Sequence, residues 1–134
     1  MGASDHQIRL LGCIYWYTIE FGVVIEDGKR KFYGAGIASS YKEIDNMNQC
    51  QDMRKLDLVN HLPKPDEVVV QDVQPHFYYA PSFPNVMDQL NQFGRTYGRP
   101  FKIHYDFNTN EVIPDRMIEL APVVNENTSQ SMSM

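Results

Sequence analysis

The sequence has little cysteine, little clustered positive charge and no long apolar run, and each shortage excludes something. Two cysteines in 134 residues, Cys13 and Cys50, give no disulfide framework and point to a reducing compartment, so the cytoplasm is the expected location. Twelve Lys and Arg against seventeen Asp and Glu give a formal charge of −5. Nucleic acid and an anionic membrane both demand clustered cations, so neither is expected as the main partner. The one basic run, Lys29-Arg30-Lys31, lies beside an Asp-Gly turn signal and reads as a solvated loop. The longest apolar run, Cys13 to Ile25, is interrupted by Thr18 and Glu20 and is too short to span a bilayer. The N-terminus lacks a signal-peptide pattern, and no internal repeat is found.

Self-contained metal and phosphate motifs are missing too. No two of His6, His61, His76 and His104 stand at helical ligand spacing, and the cysteines lack metal-finger spacing. His6 and Glu20 on one helix would be about 21 Å apart and could not share an ion. Gly34-Ala35-Gly36 is followed by no Gly-Lys-Ser/Thr, which excludes a P-loop, and the third glycine of a dinucleotide fingerprint is absent.

What is present suffices for one domain: 43% hydrophobic and 12% aromatic residues. Asp5 to about Gly22 reads as a helix with Ser4 or Asp5 as N-cap and Ile8, Leu11, Tyr15 and Ile19 on one face. From Ile14 onward it is apolar nearly all round, so it must be covered on every side, and few helices remain in the chain to do so. Val23–Ile25 and Lys31–Tyr33 around Asp27-Gly28 read as a hairpin. Gly34-Ala35-Gly36 reads as tight backbone where side chains would obstruct. Ser40 with Glu43 fits a capping box for a short helix. Residues 46–67 read as a long connection with one helical turn, and Val68–Val70 and Phe77–Tyr79 as extended. Ser82–Tyr97 reads as an amphipathic helix with Val86, Leu90, Phe93 and Tyr97 on its apolar face and Pro84 in its first turn. Phe101–Tyr105 and Glu111–Ile113 read as a second hairpin, and the polar tail 125–134 as disordered.

The residue that points to chemistry is Glu20. It is a carboxylate in an aromatic, apolar helix, and such a group is paired, protonated or metal-bound when buried. The plainer alternative is a Glu that reaches the surface or pairs with Arg9 or Arg95.

Tyr15-Trp16-Tyr17-Thr18-Ile19-Glu20-Phe21-Gly22 resembles the iron-binding helix of the pterin-dependent aromatic amino acid hydroxylases. Tyr33-Gly34-Ala35-Gly36-Ile37-Ala38-Ser39-Ser40 is similar to a second motif of that family at the same spacing. Gln74-Pro75 with Tyr78 and Ser82-Phe83 is similar to the family's strand and following helix, and Arg99-Pro100-Phe101 with Tyr105-Asp106 to its C-terminal hairpin. The resemblance runs from residue 2 to about 116. It implies an α+β, mainly helical fold: the C-terminal part of the catalytic domain over residues 1–120, with two small hairpins (the second at 101–113), followed by the tail 121–134.

The resemblance further implies a mononuclear non-haem iron(II), tetrahydrobiopterin and dioxygen, with an aromatic amino acid as substrate. Glu20 matches the carboxylate ligand, Tyr15 an aromatic residue beside the iron, and Trp16, Gly36 and Ser39 the substrate pocket. Trp16 and Val70 favour phenylalanine over tryptophan or tyrosine, while Val68 stands where phenylalanine hydroxylases tend to have Tyr. The family's two His ligands, main pterin loop and carboxylate-gripping Arg lie upstream of the matched stretch. Only nineteen residues precede Glu20 here, so the chain reads as a fragment, inactive by itself. Where the family has a tetramerisation helix stand Ala121-Pro122 and the polar tail, which leaves the hairpin as the element through which copies could associate. The alternative function is a non-catalytic remnant that associates with a full-length relative; accidental similarity of an α+β domain is the third reading.

Overall fold

The computed structural model describes residues 3–97 and 101–117. The chain divides into a unit formed by residues 2–98 and a second that contains the C-terminal hairpin.

In the larger unit, helix α1 (Asp5–Tyr15) starts at Ser4, whose hydroxyl accepts from the Gln7 N–H while the Gln7 side chain accepts from the Ser4 N–H. This reciprocal cap satisfies two donors at the exposed first turn. The helix runs directly into a π-helical turn, Trp16–Glu20. Strands β1 (Val23–Glu26) and β2 (Lys29–Phe32) form the expected antiparallel hairpin. Asp27 and Gly28, both at positive φ (51° and 72°), supply the primed turn that suits the strand twist. Helices α2 (Ala35–Ala38) and α3 (Tyr41–Gln49) follow, then β3 (Met53–Lys55), a 3₁₀ turn (Pro65–Glu67), β4 (Phe77–Ala80) and α4 (Phe83–Arg95).

The first hairpin is not free-standing. It is half of a four-stranded mixed sheet in the order β2-β1-β4-β3, with β4 parallel to both β1 and β3. The central strands are apolar on consecutive residues because both faces are covered. Val24, Tyr78 and Ala80 join Cys13, Ile14 and Tyr17 of the first helical segment and Val86 and Phe93 of α4 on one side. Val23 and Phe77 join Phe21, Ile37 and Met47 on the other, against α2 and α3. The sheet is therefore the middle of three layers. No described helix is long and apolar enough to cross a membrane.

Several local expectations are corrected. Residues 53–55, read as connection, are an edge strand, too short to show a period. Val68–Val70 form no strand. Lys29-Arg30-Lys31 are not a solvated loop but strand β2. Arg30 there donates through Nη1 to the carbonyls of Met47 (2.7 Å), Asn48 (3.2 Å) and Cys50 (2.9 Å), covering acceptors left open at the end of α3. Ser40 caps α3, its hydroxyl accepting from the Glu43 N–H, but the Glu43 side chain does not reciprocate; it turns inward.

In the second unit, β5 (Ile103–Asp106) and β6 (Glu111–Pro114) form the expected antiparallel hairpin. Asp106 Oδ1 accepts from the N–H of Asn108 and Thr109 in its turn, and Asn110 stands at φ 56°. The tail expected from residue 121 lies outside the described residues.

Candidate active site

The site grows from the π turn. Thr18 Oγ1 donates to the Ile14 carbonyl (2.6 Å), occupying an acceptor of the α-helical ladder, and the Phe21 N–H reaches back five residues to the Trp16 carbonyl (2.9 Å). In an ideal α-helix residues five apart differ by about 140° around the axis, so Tyr15 and Glu20 would diverge. The i to i+5 register stacks them instead, and the Tyr15 hydroxyl donates to Glu20 Oε1 at 3.2 Å. That bond raises the pKa of the Tyr15 phenol, keeping it a protonated donor. Glu20 is half-buried, and its other oxygen has no hydrogen-bond partner among the described residues. Neither Arg9 nor Arg95 pairs with it; among the described residues the only group fixing the carboxylate is a phenol five residues back.

The Gly34–Gly36 segment lies against the end of the π turn. A Cβ on Gly36 would sit 2.8 Å from the Phe21 ring and 3.0 Å from the Glu20 carbonyl, and one on Gly34 would collide with that carbonyl and with the Gly22 nitrogen. The obstruction expected from this tight segment is therefore real, and the obstructed groups are Glu20, Phe21 and Gly22. Ser39 is exposed, and its hydroxyl donates to the Gly36 carbonyl at 3.2 Å. Phe21 in turn meets Trp16, with ring centroids 4.8 Å apart. Gly36, Ser39, Phe21 and Trp16 thus form a continuous run of contacts, and Tyr15 and Glu20 form a pair joined to it through the Glu20 backbone.

The sequence reading missed what stands behind Trp16. Its Nε1 donates to Gln74 Oε1 at 3.0 Å, and Gln74, 2% exposed, is tied to the buried Glu43. The only sequence signal was Gln74-Pro75 within a family motif and a Glu that also fits a capping box.

The donor set fits one corner of an iron site and no more. Glu20 offers a carboxylate oxygen, but no three His, Cys, Asp or Glu side chains converge among the described residues. His76 is buried among Tyr17 and Tyr78, and His61 lies beside Asp57, so neither histidine faces Glu20.

A family model described as biopterin-dependent aromatic amino acid hydroxylase matches residues 1–132. The chain belongs to this family. The phenylalanine-4-hydroxylase of Dictyostelium discoideum is 34% identical over 98% of the chain, and the tyrosine 3-monooxygenase of Drosophila melanogaster 31% identical over 100%. The match spans only 30% and 23% of those relatives, so this hydroxylase-family chain covers less than a third of their length. Chromobacterium violaceum phenylalanine hydroxylase, in a structure with bound oxidized Fe(III), superposes with a TM-score of 0.58 over 72% of this chain and 35% of that one. At 22% identity that likeness shows the fold. The α+β architecture expected from the resemblance is the one observed.

Proposed function

We propose that the chain supplies the carboxylate side of an aromatic amino acid hydroxylase active site. Glu20 would be one ligand of an iron(II) whose two imidazole ligands come from sequence outside these 134 residues. Tyr15 would hold the liganding carboxylate, and Trp16, Gly36 and Ser39 would line the side facing the aromatic amino acid. Iron, tetrahydrobiopterin and dioxygen would supply the ring-hydroxylating chemistry. The observation that carries this reading is Glu20 itself: a half-buried carboxylate with one oxygen fixed by Tyr15, the other unpartnered among the described residues, and no cation beside it. The chain alone is expected to bind iron(II) weakly and to show no hydroxylase turnover. Anaerobic calorimetry on wild type and Glu20→Ala tests this. Tight binding that survives the substitution would remove Glu20 from the site. Pterin-dependent turnover by the pure chain would show that the ligands are all here.

A second reading has its own observation. Ile8, Leu11, Tyr15 and Ile19 form an apolar stripe that is 57%, 42%, 48% and 49% exposed and ends beside Glu20. Monomeric proteins rarely leave such a row uncovered. On this reading the chain associates with a longer hydroxylase relative through the stripe. Co-elution with a full-length relative, abolished by Ile8→Asp with Leu11→Asp, would support it; equal co-elution of that variant would end it. The 101–113 hairpin is the other candidate for assembly, with Phe107 85% and Val112 62% exposed.

A further inference from the structure

Gln74 lies in the loop between the 3₁₀ turn and β4, and all its polar groups are engaged. Its Oε1 accepts from Trp16 Nε1 (3.0 Å) and its Nε2 donates to the Val69 carbonyl (2.7 Å). Its N–H donates to Glu43 Oε1 (3.0 Å), and its carbonyl accepts from Asn46 Nδ2 (2.8 Å). Asn46 Nδ2 also reaches Glu43 Oε2 (3.2 Å), so the buried carboxylate of Glu43 is held on both oxygens. The amide of Gln74 has one workable orientation. Flipping it would face the NH2 toward the indole N–H and the oxygen toward the Val69 carbonyl.

The indole, in contrast, is held by little else that is directional. Trp16 is half-buried and packs against Phe21 at a tilt of 42° and against both core clusters, apolar contacts that carry no directional preference to set the ring's rotation about its bond to Cβ. A hydrogen bond at the far edge of the indole removes that freedom. A satisfied buried network resists distortion because any broken member leaves a buried polar group unpaired.

We propose that Gln74 is a positioning residue: its amide, clamped by Glu43, Asn46 and Val69, fixes the plane of the Trp16 indole against which an aromatic substrate ring packs. The anchoring half stands on the geometry. The substrate half rests on the reading of Trp16 as part of the substrate wall. The same amide joins the loop at Val69 to the indole, so that displacement of the loop would tilt the wall.

Trp16 is the sole tryptophan, so the whole chain gives one indole N–H resonance. In the 15N-labelled 134-residue protein that proton should exchange slowly with solvent. In Gln74→Met, which keeps shape but lacks the acceptor, it should exchange roughly tenfold faster and move upfield. Gln74→Glu keeps an oxygen facing the indole but sets its second oxygen against the Val69 carbonyl. It should therefore restore slow exchange only where its carboxyl is protonated and can donate there, a pH-dependent rescue that a merely space-filling role would not give. If Gln74→Met lowers the folded fraction, Gln74→Asn, one methylene short of the indole, is read in the same way. Exchange unchanged in a folded acceptor-free variant would overturn the proposal. L-phenylalanine is then titrated against wild type and Gln74→Met while the same resonance is followed. Weakening by roughly tenfold in Gln74→Met supports the substrate half. Fast exchange in Gln74→Met with no response of the wild type to L-phenylalanine, nor to toluene, whose ring needs no carboxylate grip, keeps Gln74 as the anchor and overturns Trp16 as the substrate wall, so the two failures are told apart.

Discussion

One side of α1 and its π turn carries Cys13, Ile14, Tyr17 and Thr18, none more than 4% exposed. The other carries Ile8, Leu11, Tyr15 and Ile19, none less than 42% exposed. Thr18 apart, both rows are apolar in sequence. The buried row is covered because β1 and β4 turn Val24, Tyr78 and Ala80 toward it and α4 closes over it. Tyr17 shows how closely it fits: the ring packs 4.8 Å from Tyr78 and 5.2 Å from His76, while its hydroxyl donates to the Glu67 carbonyl at 3.1 Å. Among the described residues nothing equivalent faces the other row. A helix that is apolar all round therefore marks where contacts are needed, and the difference between its two sides shows which of them this unit provides.

The sharpest way to break the comparison is to truncate the buried side and the buried network behind Trp16. Ile14→Ala should cost about 2–5 kcal/mol in urea unfolding, because it removes methylenes and leaves a cavity. Glu43→Ala should cost about 1–3 kcal/mol, since it strands the Gln74 N–H and one partner of Asn46 in a buried setting. Its indole resonance should also shift, which Ile14→Ala predicts less directly.

A smaller effect concerns pH. Burial first, and then the Arg54 guanidinium, lower the His76 pKa below its ordinary value near 6.5, while Asp52 and Glu67 act in the opposite direction. Nε2 of this ring has no partner among the described residues, so its neutral form is the one suited to the site. The unfolded chain then binds a proton that the folded chain refuses. Stability from this group is complete above about pH 6.5 and falls as pH drops below it toward the folded pKa. Urea midpoints at pH 7.5 and 5.5 should differ by less in His76→Phe than in wild type.

The smallest effect belongs to the exposed side. Ile8→Ser and Leu11→Ser should each change stability by less than about 0.5 kcal/mol. They should instead reduce self-association or binding to a longer relative, read by sedimentation. A cost as large as that of Ile14→Ala would mean that the row is covered within the chain and that the comparison is false.

Much of this was legible from residues. Ser4 and Ser82 mark helix starts because a hydroxyl caps open backbone donors, and Asp27-Gly28 marks a hairpin because both residues accept positive φ. The α4 face, Val86 to Phe93, follows helical spacing. The order β2-β1-β4-β3 was not legible, because parallel partners are separated by tens of residues and no turn records them. Nor was the π turn, whose side-chain register departs from the period used to find helices. That departure sets Tyr15 beside Glu20. Glu43 misled for a related reason: the spacing of a capping box describes its backbone, and only tertiary contacts show where its carboxylate goes.

The sequence by itself determined the family, the helix carrying Glu20 and the two glycines that let Gly34–Gly36 lie against it, since these depend on residue type at short spacing. The tertiary structure decided which side of that helix is buried and which polar groups close around Trp16. Those outcomes depend on strand pairing and on buried hydrogen bonds across 31 and 58 positions of sequence, where each donor must find an acceptor that no local pattern specifies.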